Sequence, residues 1–241
     1  MRRRLSTQAL ATAGQEVAAF ARHALLMRHD AARAVLPEGV CDGDDVVVLL
    51  HGMFATAGVV RPLRAAIGRM ARRAVTVHTA AVSYPSTSGL GPAVERLEAA
   101  VRALPGGARL HLCGHSMGGV VCRLYALESG DARVVQTISL GTPFGGVPGA
   151  QLLGFAGGRE LSPTSEVLRR VRLGMGAEGR EVPHLSIVAG ADSVVRAPLA
   201  HALPGGDVKV MEGRGHSALL FDDEVAGVLV RRVLEHAGRG G

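Results

Sequence analysis

The chain has 241 residues, enough for one α/β domain with a sizeable core and too few for two well-filled ones. Hydrophobic residues at 47% against charged residues at 20% exclude a disordered chain, and no apolar run reaches the roughly 18 residues that a spanning helix needs. The net charge of +6 rests almost wholly on scattered arginine, with Lys209 the sole lysine; lacking an aromatic-basic platform or a groove-reading motif, it argues against nucleic acid as a partner.

The basic clusters are Arg2-Arg3-Arg4, Arg72-Arg73, Arg169-Arg170 with Arg172, and Arg231-Arg232. Met1-Arg2-Arg3-Arg4 is similar to the start of a signal peptide, yet Gln8, Gln15 and Glu16 interrupt the residues after it, so no dense apolar segment forms. Cys41, Cys113 and Cys122 make an odd number, which fits free thiols in a reducing compartment, and the expected location is the cytoplasm.

In chain order, Leu5, Ala9, Ala13, Val17, Phe20, Ala24 and Met27 recur at helical spacing and predict an amphipathic helix over residues 5–28. Its modest apolar stripe suits docking on the main domain, with weak peripheral membrane contact and a partner interface as the other uses; residues 1–40 are read as an N-terminal extension. Pro37, Gly39, Asp42, Gly43, Asp44 and Asp45 mark a loop. From Val46 onward strands alternate with helices, the pattern of a mostly parallel sheet of about six strands covered on both faces. The strands are expected at 46–50, 75–82, 109–113, 134–140, 184–189 and 207–211, and the helices at 58–72, 91–104, 117–129, 164–173 and 222–237. Ser162 as N-cap and Pro163 at the first helical position would start the helix at 164–173. The glycine-rich stretch 143–182 is longer than an ordinary connection and reads as a lid segment inside a catalytic domain spanning 41–241.

Gly114-His115-Ser116-Met117-Gly118 comes directly after the apolar run Leu110 to Cys113 and opens a helix, which makes it a nucleophile elbow: a serine on a tight strand-to-helix turn. Serine needs a histidine base and a carboxylate to orient that base. On such a sheet the order is serine, acid, histidine, each past a later strand. Asp192 lies past the apolar strand that ends near Ala189, and His216 past the strand Val208 to Met211, so both stand in that order. An N-cap role for Asp192 and a plain surface-loop role for His216 are the duller readings, outweighed by the joint placement. Asp207 begins a strand, Asp222 and Asp223 begin the last helix, and Gly141-Thr142-Pro143 offers no acid. The oxyanion needs two backbone N–H donors, for which Met117 and, in the loop His51-Gly52-Met53-Phe54, Met53 are chosen; His51 is read as a structural ring.

These residues resemble the α/β-hydrolase superfamily and, within it, bacterial lipases and esterases with a Gly-His-Ser-Met-Gly-Gly elbow. The resemblance runs from Val46 to His236 and includes Leu140-Gly141-Thr142-Pro143-Phe144-Gly145-Gly146, Asp192-Ser193-Val194-Val195 and the loop around Gly213, Gly215 and His216. Phe144 departs from it, standing where histidine is common. The resemblance implies the α/β-hydrolase fold and acyl transfer through Ser116, His216 and Asp192, with no cofactor and no metal. The substrate is expected to be a small-molecule or lipid carboxylic ester, with Phe54, Phe144, Leu152, Leu153 and Phe155 supplying an apolar acyl site. Acyl transfer to another acceptor and thioester hydrolysis use the same triad. A non-catalytic binding protein is the reading from another class, and the residues leave the oligomeric state open.

Overall fold

The computed structural model describes residues 7–31, 34–71, 77–174 and 181–237. The basic clusters at Arg2-Arg3-Arg4 and Arg72-Arg73, the first residues of the expected N-terminal helix and the start of the expected strand at 75 lie outside them. Helix α1 (Thr7–Leu26) precedes a six-stranded sheet: β1 (Asp45–Leu50), β2 (Val77–Val82), β3 (Arg109–His115), β4 (Val134–Leu140), β5 (His184–Ala189) and β6 (Asp207–Met211). Helices α2 (Arg61–Ala71), α3 (Leu90–Arg102), α4 (Met117–Glu128), α5 (Ala156–Glu160), α6 (Glu166–Leu173) and α7 (Asp223–Ala237) connect or succeed the strands. The sheet is parallel throughout, in the order β2-β1-β3-β4-β5-β6.

Two cores explain why the strands read as unbroken apolar runs. On β1, Val46, Val48 and Leu50 face one core with residues of α3, α4 and α6, while Val47 and Leu49 face the other with residues of α2 and α7. Successive side chains of a strand point to opposite faces, so a doubly covered strand is apolar at every position. The chain leaves β1 in one direction along the sheet for β2 and returns to add β3 on the other side. That reversal places a crevice at the carboxyl ends of β1 and β3, where open parallel sheets bind ligands.

The glycine-rich stretch after β4 has more order than its composition suggests, with a 3-10 turn at Ala150–Leu153 before α5 and α6; its residues 175–180 lie outside the described ones. One expectation fails here. Ser162 and Pro163 do not open the helix, which begins at Glu166 behind Ser165. Ser162 instead starts a separate turn, its carbonyl accepting the Ser165 N–H at 2.9 Å, and Pro163 packs against Gly146, where a Cβ would stand 2.5 Å from the ring. Among the described residues no helix is long and apolar enough to cross a membrane.

Candidate active site

Ser116 sits between β3 and α4 with φ 52° and ψ −124°, a conformation that L-residues seldom adopt and that costs on the order of 1–3 kcal/mol. The surroundings hold it there. The Ser116 N–H donates to Leu140 O at 2.8 Å, and its carbonyl accepts the Thr142 hydroxyl at 2.8 Å and the Gly119 N–H at 3.0 Å. The glycines are steric requirements: a Cβ on Gly114 would lie 2.1 Å from Gly118 C, one on Gly118 2.4 Å from His51 O, and one on Gly119 2.0 Å from Thr142 Oγ1. In the sequence Thr142 stands out only as a position without an acid; no local signal marks it as the clamp of the turn.

The loop after β1 packs directly on this elbow. A Cβ on Gly52 would approach Ser116 Cβ to 3.0 Å, so the Gly52–Met53 peptide runs past the serine. Among the described residues neither the Met53 N–H nor the Met117 N–H donates an internal hydrogen bond, whereas the next amide, Phe54 N–H, is taken by Ser86 Oγ at 2.9 Å. His51 is an interior ring. Its Nδ1 meets Gly52 O at 2.7 Å, its Nε2 accepts the Tyr84 N–H at 3.2 Å, and the two rings stack with centroids 4.2 Å apart. Burial pushes His51 down to about 4, so it stays neutral and fixes the loop.

Asp192 and His216 approach from the loops after β5 and β6. His216 Nδ1 lies 2.7 Å from Asp192 Oδ2, and the two side chains are 6% and 0% exposed, so solvent does not compete for the bond. Asp192 Oδ1 accepts the Val194 and Val195 N–H groups at 2.8 and 2.7 Å, which fixes the carboxylate. Gly141, at φ 57°, carries the pair: a Cβ there would meet His216 Nδ1 at 3.1 Å and Asp192 Oδ2 at 3.4 Å. Gly141 is next to Leu140, the residue that binds the Ser116 N–H, so the histidine stands beside the elbow. His115 ties the two further, its Nε2 donating to His216 O at 3.1 Å with the rings 4.7 Å apart. His115 is fully interior, and burial first, then the nearby His216, holds it well below the ordinary imidazole value. Asp222, by contrast, pairs with Arg214 and accepts the Glu224 N–H at 2.7 Å, away from His216.

The apolar residues expected at the site divide. Phe54 is 54% exposed and meets Phe155 edge-to-face at 5.4 Å, while Leu152 and Leu153 are 84% and 51% exposed on the neighbouring turn. Phe144 is different. It is fully buried and packs edge-to-face on His184 at 5.3 Å, so it offers no surface to a ligand and belongs to the core; an apolar ring suits that interior position. Between the stretch after β4 and the loop after β5 lies a cavity of about 830 Å³, lined by Gly146, Val147, Pro163, Arg172, Val195 and Arg196 among others. Among the described residues no cluster of histidine, cysteine or carboxylate side chains has the makings of a metal site. Cys113 is buried and its thiol pushed up to about 12, too basic for a nucleophile at neutral pH.

Solved structures with the same fold include a metagenomic carboxyl esterase (TM-score 0.64, 18% identity, 85% of this chain and 79% of that one). Est1E from Butyrivibrio proteoclasticus aligns with a TM-score of 0.61 at 15% identity, over 86% of this chain and 93% of that one. A membrane phospholipase A described as a bacterial virulence factor aligns at 0.58 and 15% identity, over 97% and 93%. No protein of curated function matches the chain in sequence. Residues 46–173, more than half of the chain and the whole stretch from β1 through the elbow to α6, match the sequence profile of the palmitoyl protein thioesterases, and the chain belongs to that family, on the α/β-hydrolase fold.

Proposed function

We propose that this protein hydrolyses acyl esters through an acyl-enzyme, with Ser116 as nucleophile, His216 as base and Asp192 as the acid that orients it. The observation that carries this reading is the enclosed His216–Asp192 pair, 2.7 Å apart, set over Gly141 beside a serine in the strained turn. Asp192 keeps the Nδ1 proton on His216, leaving Nε2 free to take the Ser116 proton as Oγ attacks the carbonyl carbon. The negative charge then gathers on the carbonyl oxygen, for which the Met53 and Met117 N–H groups are the donors. His216 returns its proton to the leaving alcohol or thiol. Water, deprotonated by the same imidazole, releases the acid and restores Ser116.

The exposed Phe54, Leu152 and Leu153 beside the half-buried Phe155 favour an apolar acyl chain. The family match favours thioesters as the second substrate class, since the triad is indifferent to the leaving atom. The three free cysteines favour a reducing compartment, the cytoplasm. A chain-length series of p-nitrophenyl esters beside acyl thioesters of the same lengths separates the classes, with a fluorophosphonate probe reporting Ser116. Labelling of Ser116 and a kcat/KM that rises with chain length are expected. A protein that neither labels nor turns over either series would overturn the reading.

A further inference from the structure

The N-terminal helix carries one acidic side chain into the protein. Glu16 is 8% exposed; its Oε1 accepts the Ser217 N–H at 2.8 Å and its Oε2 the Ala218 N–H at 3.3 Å. These two amides belong to the residues immediately after His216, at the start of the 3-10 turn Ser217–Phe221. Gly215, on the other side of His216, is shaped by the same carboxylate: a Cβ there would stand 2.1 Å from Glu16 Oε2. One helical turn earlier on the same face of α1, the Thr12 hydroxyl donates to Gly213 O at 3.4 Å. Glu16 therefore holds the backbone after His216 by two hydrogen bonds and packs against Gly215 before it.

The residues after α1 reach the loop beyond β1. Thr56 Oγ1 meets Met27 O at 2.9 Å and His29 O at 2.8 Å, and a Cβ on Gly58 would lie 2.2 Å from Leu26 O. Arg61 closes the contact on Asp30 through Nε at 2.7 Å and Nη2 at 2.9 Å. One continuous segment thus braces the loop bearing His216 and the chain leading out of the loop bearing Met53.

We propose that Glu16 is a positioning residue for the reaction, setting the backbone of His216 and through it the imidazole; the inference rests on the Ser116–His216–Asp192 reading. Helix docking alone does not call for this residue. A buried carboxylate is a costly anchor unless its hydrogen bonds are good, and apolar side chains such as Ala19 already bury the same face. The carboxylate is spent on amides whose position decides where the base stands.

The test measures kcat, KM, the rate of fluorophosphonate labelling and the melting temperature on the full chain for Glu16→Ala, Glu16→Gln, Gly215→Ala and the double variant Glu16→Ala/Gly215→Ala, with Ser116→Ala as control. Glu16→Ala should lower kcat by about 10- to 100-fold, the scale of an ångström-sized displacement of a catalytic group, with KM within about twofold. Glu16→Gln should fall between it and the parent, because its one oxygen still accepts one amide. Gly215→Ala should reproduce the loss by forcing the carboxylate off, and the double variant should be no worse than Glu16→Ala. Wild-type kcat in Glu16→Gln and Gly215→Ala, whatever their melting temperatures, would overturn the proposal even if Glu16→Ala does not fold. Activity retained by Ser116→Ala would instead overturn the triad reading, a separate result.

Discussion

The elbow and the loop bearing His216 meet at one site, yet they are built on different principles. The elbow is local. Its φ and the Gly114–Gly118 contact arise within Gly114–Gly119, while the close contacts of Gly118 and Gly119 come from His51 and Thr142 at the adjoining ends of β1 and β4. The His216 loop is assembled from a distance: Asp192 reaches His216 from 24 positions away, His115 from 101, and Glu16 meets Ser217 across 201. A turn that needs glycine at fixed spacing around the serine leaves a motif. A loop braced by a distant helix leaves none, and its stability depends on the whole fold around it.

The contrast is sharpest when the nucleophile alone is removed. Ser116→Ala deletes one hydroxyl and leaves the glycines, the Leu140 hydrogen bond and the Thr142 clamp in place, so the melting temperature should stay within about 2 °C. Turnover should fall by about 10⁴- to 10⁶-fold. A variant that kept more than about a tenth of its activity would show that the elbow is not the reacting centre, since loss of a triad member costs far more than tenfold.

Asp192→Asn probes the His216 loop in the same spirit. The asparagine Oδ1 can still accept the Val194 and Val195 amides, so the loop keeps its shape, while the amide NH2 faces His216 Nδ1 and imposes the wrong tautomer. The expected loss is about 10⁴-fold in kcat with folding preserved. Asp222→Asn, which touches Arg214 rather than His216, should be mild. Steady-state kinetics on the pair decides it: a silent Asp192→Asn beside a severe Asp222→Asn would move the acid to another loop.

Much of the architecture is legible in the sequence for the same reason that the elbow is. Unbroken apolar runs such as Val46–Leu50 and His184–Ala189 mark strands covered on both faces, and the intervening helices show their buried stripe, so the six strands fall where periodicity puts them. What escapes is short or long-range. The helix Ala156–Glu160 is a single turn with two glycines, and the true start of α6 at Glu166 is hidden behind a stronger cap pattern at Ser162-Pro163. Phe144 has the position of a pocket residue just past a strand end, but packing on His184 turns it inward. Glu16 is visible only as an interruption of the residues after Arg2-Arg3-Arg4, and the stripe that helical spacing picks out is not the docking face: Val17 and Phe20 are exposed, while Glu16 and Ala19 are buried.

The fold is also sensitive to acid, and here the expected effect is smallest and the sign is fixed by burial. His51, His111, His115 and His184 are interior rings, and in each the loss of hydration is the leading cause of a lowered pKa, to about 4 for His51 and about 3 for His184. The folded protein therefore refuses protons that the unfolded chain accepts near pH 6.5. Their contribution to stability is whole above about pH 6.5 and is lost as the pH falls below it, at up to about 1.4 kcal/mol per pH unit for each ring until its folded pKa is reached. Carboxylates held low by an arginine, such as Asp30 by Arg61, lose their contribution only as the pH falls below their ordinary value of 3.8, so the window between about pH 6.5 and 4.5 belongs to the histidines. Urea midpoints at pH 8, 7, 6 and 5 should be level down to about 7 and then drop, amounting to a few kcal/mol by pH 5. His184→Gln should flatten that slope, because an amide can serve the Thr137, Ser139 and Ser186 hydroxyls around the ring without taking up a proton. A profile flat from pH 7 to 5 would mean that these rings gain hydrated, charged forms without unfolding. The site would then be softer on the elbow side than the packing of His51 and His115 implies.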